Sequence, residues 1–130
     1  MLRDSFYKVV TTAQQDTTSF KSIVLINKDH DIFKGHFPSV PVVPGVCMMQ
    51  IIKELLEERI DKTLQLLSAG NIKFLSVINP LENPQVEIEV KYTSVEDGTF
   101  RADGSIFANN AACFKIVKAI YTSTSQVSEF

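Results

Sequence analysis

The chain has 130 residues, of which 45% are hydrophobic and 22% charged, and its formal net charge is −2. This is the make-up of one globular domain with a modest core. It excludes two broad classes: no basic run interleaves with aromatic residues as nucleic-acid binding requires, and no apolar run approaches a membrane span.

The first segment, Ser5 to Gln14, alternates weakly and is rich in β-branched residues, which predicts a strand. The stretch Gln15-Asp16-Thr17-Thr18-Ser19 is a polar turn. A second strand over Phe20 to Asn27 follows, with Phe20, Val24 and Ile26 on one face, and the two strands should pair as a hairpin. Met1 to Lys8 carries an acid and lacks the apolar core of a secretory signal, so the expected location is cytoplasmic.

Lys28 to Lys34 is a polar connector, in which His30 reads as a solvated loop residue. It delivers the chain to Gly35-His36-Phe37-Pro38-Ser39-Val40-Pro41-Val42-Val43-Pro44-Gly45. Residues that precede proline are pushed towards extended backbone, which here stiffens Phe37, Val40 and Val43. Pro44 suits the first turn of a helix, where a missing N–H costs nothing.

A helix is expected from about 44 to 60. Its first two turns are apolar almost all round, through Val46, Cys47, Met48, Met49, Ile51, Ile52, Leu55 and Leu56, so it must be buried on most sides. One polar stripe holds Gln50, Glu54 and Glu57. Everything after the helix reads as strand. Leu64 to Ile78 is one strand or two, with Gly70 marking a bend or bulge. Residues 79–84 form a turn. Gln85 to Ser94 alternates Val86, Ile88, Val90 and Tyr92 against Glu87, Glu89 and Lys91. Asp97-Gly98 is a hairpin turn, Phe100 to Ala108 alternates again, Asn109-Asn110 turns, and Ala112 to Thr122 is the last strand. Cys47 and Cys113 have no metal-ligand spacing and read as reduced, buried thiols. No metal or redox cofactor is signalled, and none is expected.

The order is therefore two strands, one long buried helix and three or four antiparallel strands, an α+β arrangement in which a curved sheet must wrap the helix. One sheet cannot cover such a helix completely, and a second copy of the chain is the natural supplier of the missing surface.

The loop His36-Phe37-Pro38-Ser39-Val40-Pro41-Val42-Val43-Pro44-Gly45-Val46 resembles the H-F-P-G-x-P-x-x-P-G-V signature of the hot-dog-fold 3-hydroxyacyl-[acyl-carrier-protein] dehydratases. The resemblance implies a single hot-dog domain over 1–130, with a curved antiparallel sheet around one central helix. It implies action on acyl-ACP or acyl-CoA thioesters in fatty-acid-type biosynthesis, in a homodimer or higher homo-oligomer, without nucleic acid or a membrane span. Carried over, His36 would be the base that takes a proton from the carbon beside the thioester. The backbone N–H groups of Gly45 and Val46 would polarise the thioester carbonyl. Phe37 and Met49 would line the acyl site. A histidine titrating near neutrality suits the first task, and the positive end of a helix suits the second.

The chain departs from the pattern where the acid is needed. The family carboxylate lies fourteen residues after the histidine, on the other subunit's helix, and that position here is Gln50. An amide cannot deliver a proton at neutral pH. The usual glutamine four residues further on is Glu54, so acid-x-x-x-Gln has become Gln50-x-x-x-Glu54. Glu54 lies about 6 Å along the axis from the usual acid position, and reads either as a relocated acid or as a helix-surface or interface acid. Ser39 replaces a glycine, and the segment 78–83 lacks the family's V-x-P-G-D turn. Cys47 reads as core packing. Three functions stay open: a dehydratase weakened at Gln50, a non-catalytic acyl-thioester-binding subunit, or a hot-dog thioesterase.

Overall fold

The computed structural model describes residues 1–34 and 41–124. His36 and Phe37 lie outside the described residues. The strands are β1 (Tyr7–Asp16), β2 (Ser19–Ile26), β3 (Leu64–Ser68), β4 (Asn71–Phe74), β5 (Gln85–Glu96), β6 (Thr99–Ala108) and β7 (Ala111–Ser123), and the one long helix is α1 (Gly45–Ile60). Among the described residues these strands pair antiparallel, in the order β1-β2-β5-β6-β7-β3, with β4 also on β7.

The alternation expected from the sequence sets which face meets the helix. Phe20, Val24 and Ile26 from β2, Val86, Ile88 and Val90 from β5, and Ala102, Ile106 and Ala108 from β6 are all buried. Ser22 shares this inner face, and its hydroxyl is paired with that of Thr12 at 2.9 Å. The hairpin turns use the residues their backbone demands. Gly98 sits at φ 77°, and Asn109 and Asn110 sit at 53° and 65°, the left-handed pair of a two-residue hairpin.

Leu64 to Ile78 resolves into two strands with a break at Gly70. The same break runs across three strands. Lys118 adopts φ 54°, and Val117 and Lys118 together oppose Asp103 between the pairs Ala102↔Ala119 and Gly104↔Ile116. Asp103 accepts a hydrogen bond from the Lys118 N–H at 2.8 Å, and the Gly70 N–H reaches the Val117 carbonyl at 2.9 Å. A one-residue bulge shifts the inward parity of β7 from Phe114 and Ile116 to Ala119 and Tyr121, all of which are buried.

The helix lies against the sheet through Cys47, Met48, Ile51, Ile52, Leu55 and Leu56. It comes closest at Gly104, where an added Cβ would stand 2.9 Å from Ile52 Cδ1 and 3.1 Å from its Cγ2. Gly104→Ala should therefore lower stability by about 1–3 kcal/mol through overpacking. Urea unfolding checks this, with a smaller midpoint and an unchanged slope. The helix stops at Asp61, in the left-handed conformation with its N–H on the Glu57 carbonyl, while the Glu57 carboxylate accepts from the Leu64 N–H at 2.8 Å. Among the described residues, no helix is long and apolar enough to cross a membrane.

Candidate active site

Position 50 lies on the one face of α1 that the sheet leaves open. Val46 is 73% exposed, and Met49, Gln50 and Lys53 are half-buried beside it. With Leu64, Gln65, Leu66, Tyr121 and Thr124 they line a groove of about 500 Å³ between α1 and β3. Gln50 thus shares a surface with two residues expected at the site, Val46 and Met49.

The helix begins without a side-chain cap. Pro44 is the N-cap residue, with φ −63° and ψ 147°, and its carbonyl accepts from Cys47 and Met48. No acid lies in the first turn, so the positive end of the helix is not neutralised from its own sequence. Val43 just before it is buried and held by the Ile78 carbonyl at 2.9 Å. Phe74 covers Gly45: a Cβ at that position would stand 2.4 Å from Phe74 Cε1. The Phe74 ring also packs on Phe114 at 5.2 Å. A side chain at position 45 would have to displace the Phe74 ring, a contact that the loop signature alone does not disclose.

Glu54 is neither on the surface nor part of an open polar stripe. It is 4% exposed, and its carboxylate accepts four hydrogen bonds. The N–H of Leu2 donates to Oε2 at 2.8 Å and the N–H of Arg3 to Oε1 at 3.0 Å. The Tyr7 hydroxyl donates to Oε1 at 2.9 Å, and Gln50 Nε2 donates to Oε2 at 2.7 Å. Burial alone would raise its pKa, but the bonds from Gln50, Leu2, Tyr7 and Arg3 outweigh it and hold the carboxyl below the ordinary glutamate range. The same pair pushes the Tyr7 phenol well above its ordinary value, through burial first and the facing charge second, so it remains a donor. Arg3 adds an ion pair with Glu58. The first residues of the chain thus form a hook, closed on itself through the Leu2 carbonyl, that is tied down on α1.

Two further expectations meet the geometry. Cys47 is buried, and burial raises its thiol pKa, as core packing predicts. His30 lies in the connector, as expected, and is half-buried. Its Nδ1 accepts from the Ile32 N–H at 3.0 Å, and its ring packs edge-on to Phe6 at 5.3 Å. Nothing in the sequence marks Tyr7 and the Leu2 and Arg3 amides as supports of this region. Backbone donors leave no mark in composition, and Tyr7 is one more strand residue until the fold brings it to Glu54.

Residues 12–113 match the family model described as ApeI-like, ApeI dehydratase. Among curated relatives, the 3-hydroxyacyl-[acyl-carrier-protein] dehydratase FabZ of Lactococcus lactis subsp. cremoris is 24% identical over 124 residues, covering 85% of this chain and 83% of that protein. The enzyme of the same name from Coxiella burnetii is 30% identical over 97 residues, covering 65% and 67%. Among solved structures, the dehydratase heterocomplex ApeI:P from Xenorhabdus doucetiae superposes with a TM-score of 0.69 at 14% identity, covering 88% of this chain and 96% of that one. Cj0977, a virulence protein of Campylobacter jejuni, gives 0.65 at 13% identity, covering 88% and 82%. The structural matches establish the hot-dog fold.

Proposed function

Because this chain belongs to the ApeI-like dehydratases, we propose that it binds 3-hydroxyacyl thioesters, carried on ACP or coenzyme A, and eliminates water from them in fatty-acid-type biosynthesis. The observation that supports this most is the groove on the open face of α1, which Gln50 shares with Val46 and Met49. Counted from His36, Gln50 falls where the resembling dehydratases carry their acid. In this reading His36 removes the proton beside the thioester carbonyl, and the N–H groups of Gly45 and Val46 take up the enolate charge. Met49 and Phe37 contact the acyl chain. Gln50 holds the 3-hydroxyl but supplies no proton, so turnover is slow.

Glu54 does not replace the missing acid here. An ionised carboxylate that already accepts four hydrogen bonds has no proton to give. That fact also favours a second reading, a subunit that binds acyl thioesters without converting them. In both readings a second chain covers the open face of α1. Val46, Phe74, Leu75 and Val77, each more than half exposed, supply the apolar surface for it.

The test is turnover and binding of a 3-hydroxyhexanoyl thioester. Dehydration that falls about 10²–10⁴-fold in His36→Ala, with binding retained, supports the dehydratase. Binding without conversion selects the second reading. Release of free thiol with an unaltered acyl chain would contradict both and point to a thioesterase.

A further inference from the structure

Glu54 is the buried titratable group that the proposed reaction leaves unused, and its contacts fix more than the fold. Its carboxylate is an acceptor only. The side-chain amide of Gln50 must therefore face it with Nε2, as the 2.7 Å contact has it, and the carbonyl oxygen Oε1 points away from Glu54. The orientation is not a free choice of the glutamine. Glu54 is itself pinned by donors that cannot turn around: the N–H of Leu2 shares Oε2 with Gln50, while the N–H of Arg3 shares Oε1 with Tyr7. Backbone N–H groups can only donate, so they keep both carboxylate oxygens as acceptors.

We propose that Glu54 is a positioning residue that presents Gln50 to the acyl thioester through its carbonyl oxygen, so that the site prefers a hydroxyl at C3 to a ketone. This rests on the acyl-thioester reading above. A 3-hydroxyl donates to Oε1; a 3-oxo group has no proton to donate and meets one oxygen with another. The selectivity originates in the hook of residues 2–7, none of which needs to touch the substrate.

Glu54→Leu tests it. The new side chain accepts no hydrogen bond, so Gln50 loses the partner that orients its amide. The readout is the ratio of dissociation constants for 3-hydroxyhexanoyl and 3-oxohexanoyl thioesters of N-acetylcysteamine. The intact chain should favour the hydroxy compound about tenfold, the worth of one hydrogen bond. Glu54→Leu should bring the ratio close to one, and so should Gln50→Leu, which leaves the hook intact. A loss of stability alone would weaken both ligands together and leave the ratio alone. A folded Glu54→Leu protein that keeps the tenfold preference overturns the proposal. Should that variant not fold, solvent exchange of the Gln50 side-chain amide protons in the intact chain decides the matter. One slowed proton is expected, and two that exchange like a solvated amide contradict it. If the intact chain binds neither thioester, the acyl-thioester reading falls first.

Discussion

Gln50→Glu should raise the rate of 3-hydroxyacyl-thioester dehydration by about 10²–10⁴-fold, the usual worth of a general acid. The reason lies one turn along the helix. Gln50 Nε2 stands 2.7 Å from Glu54 Oε2, so the substitution sets two carboxyl groups within hydrogen-bond distance. They cannot both be ionised at that separation. Glu54 keeps its charge, because the N–H groups of Leu2 and Arg3 and the Tyr7 hydroxyl still donate to it. The proton must stay on the new carboxyl at position 50, whose pKa is thereby raised. A carboxyl that is protonated near neutral pH, on the open face of α1, is what departure of the 3-hydroxyl as water requires. Adding Glu54→Gln restores the family's acid-x-x-x-Gln order but removes the neighbouring charge. The new acid then loses its proton at lower pH, and the alkaline fall of activity should move downward relative to the single variant. Initial rates measured across pH for the two proteins check this.

Glu54→Ala should lower folding stability by about 2–4 kcal/mol, more than a typical polar substitution on a helix. It removes the acceptor for two backbone N–H groups and a buried hydroxyl at once, and it unties the hook from α1. The loss should depend on pH with a definite sign. The folded-state pKa of Glu54 lies below its ordinary value. Its contribution is therefore complete above the ordinary glutamate pKa and fades as pH falls through the lower, folded value. Urea unfolding of both proteins should show the gap in stability at neutral pH and its narrowing in acid.

The sequence carried the fold because its signals were local. Val86, Ile88, Val90 and Tyr92 alternate with charges, Asp97-Gly98 and Asn109-Asn110 dictate their turns, and Pro44-Gly45 opens a helix too apolar to stand in water. Each needs only a few neighbouring residues to be read. The expectation for Gln50 is equally local, a count from His36. What could not be read were arrangements made across the chain. Glu54 looks like any acid in the polar stripe of a helix. Its burial depends on Leu2, Arg3 and Tyr7, about fifty positions away in sequence, and two of these act through the backbone. His30 is likewise fixed by Phe6, and Gly45 by Phe74. The bulge at Lys118 is set by Asp103 on the next strand. Such long-range polar contacts decide which acid is buried and which groups donate to it, and periodicity is blind to them.

The proposed site is the thioester site of the family with the proton donor removed at one position. The most direct measurement is the dehydration rate of a 3-hydroxyhexanoyl thioester by the intact chain, by Gln50→Glu, and by Gln50→Glu combined with His36→Ala. A slow or undetectable rate is expected for the first, a large gain for the second, and loss of that gain in the third. A folded Gln50→Glu protein that binds the thioester and converts it no faster than the intact chain would contradict it.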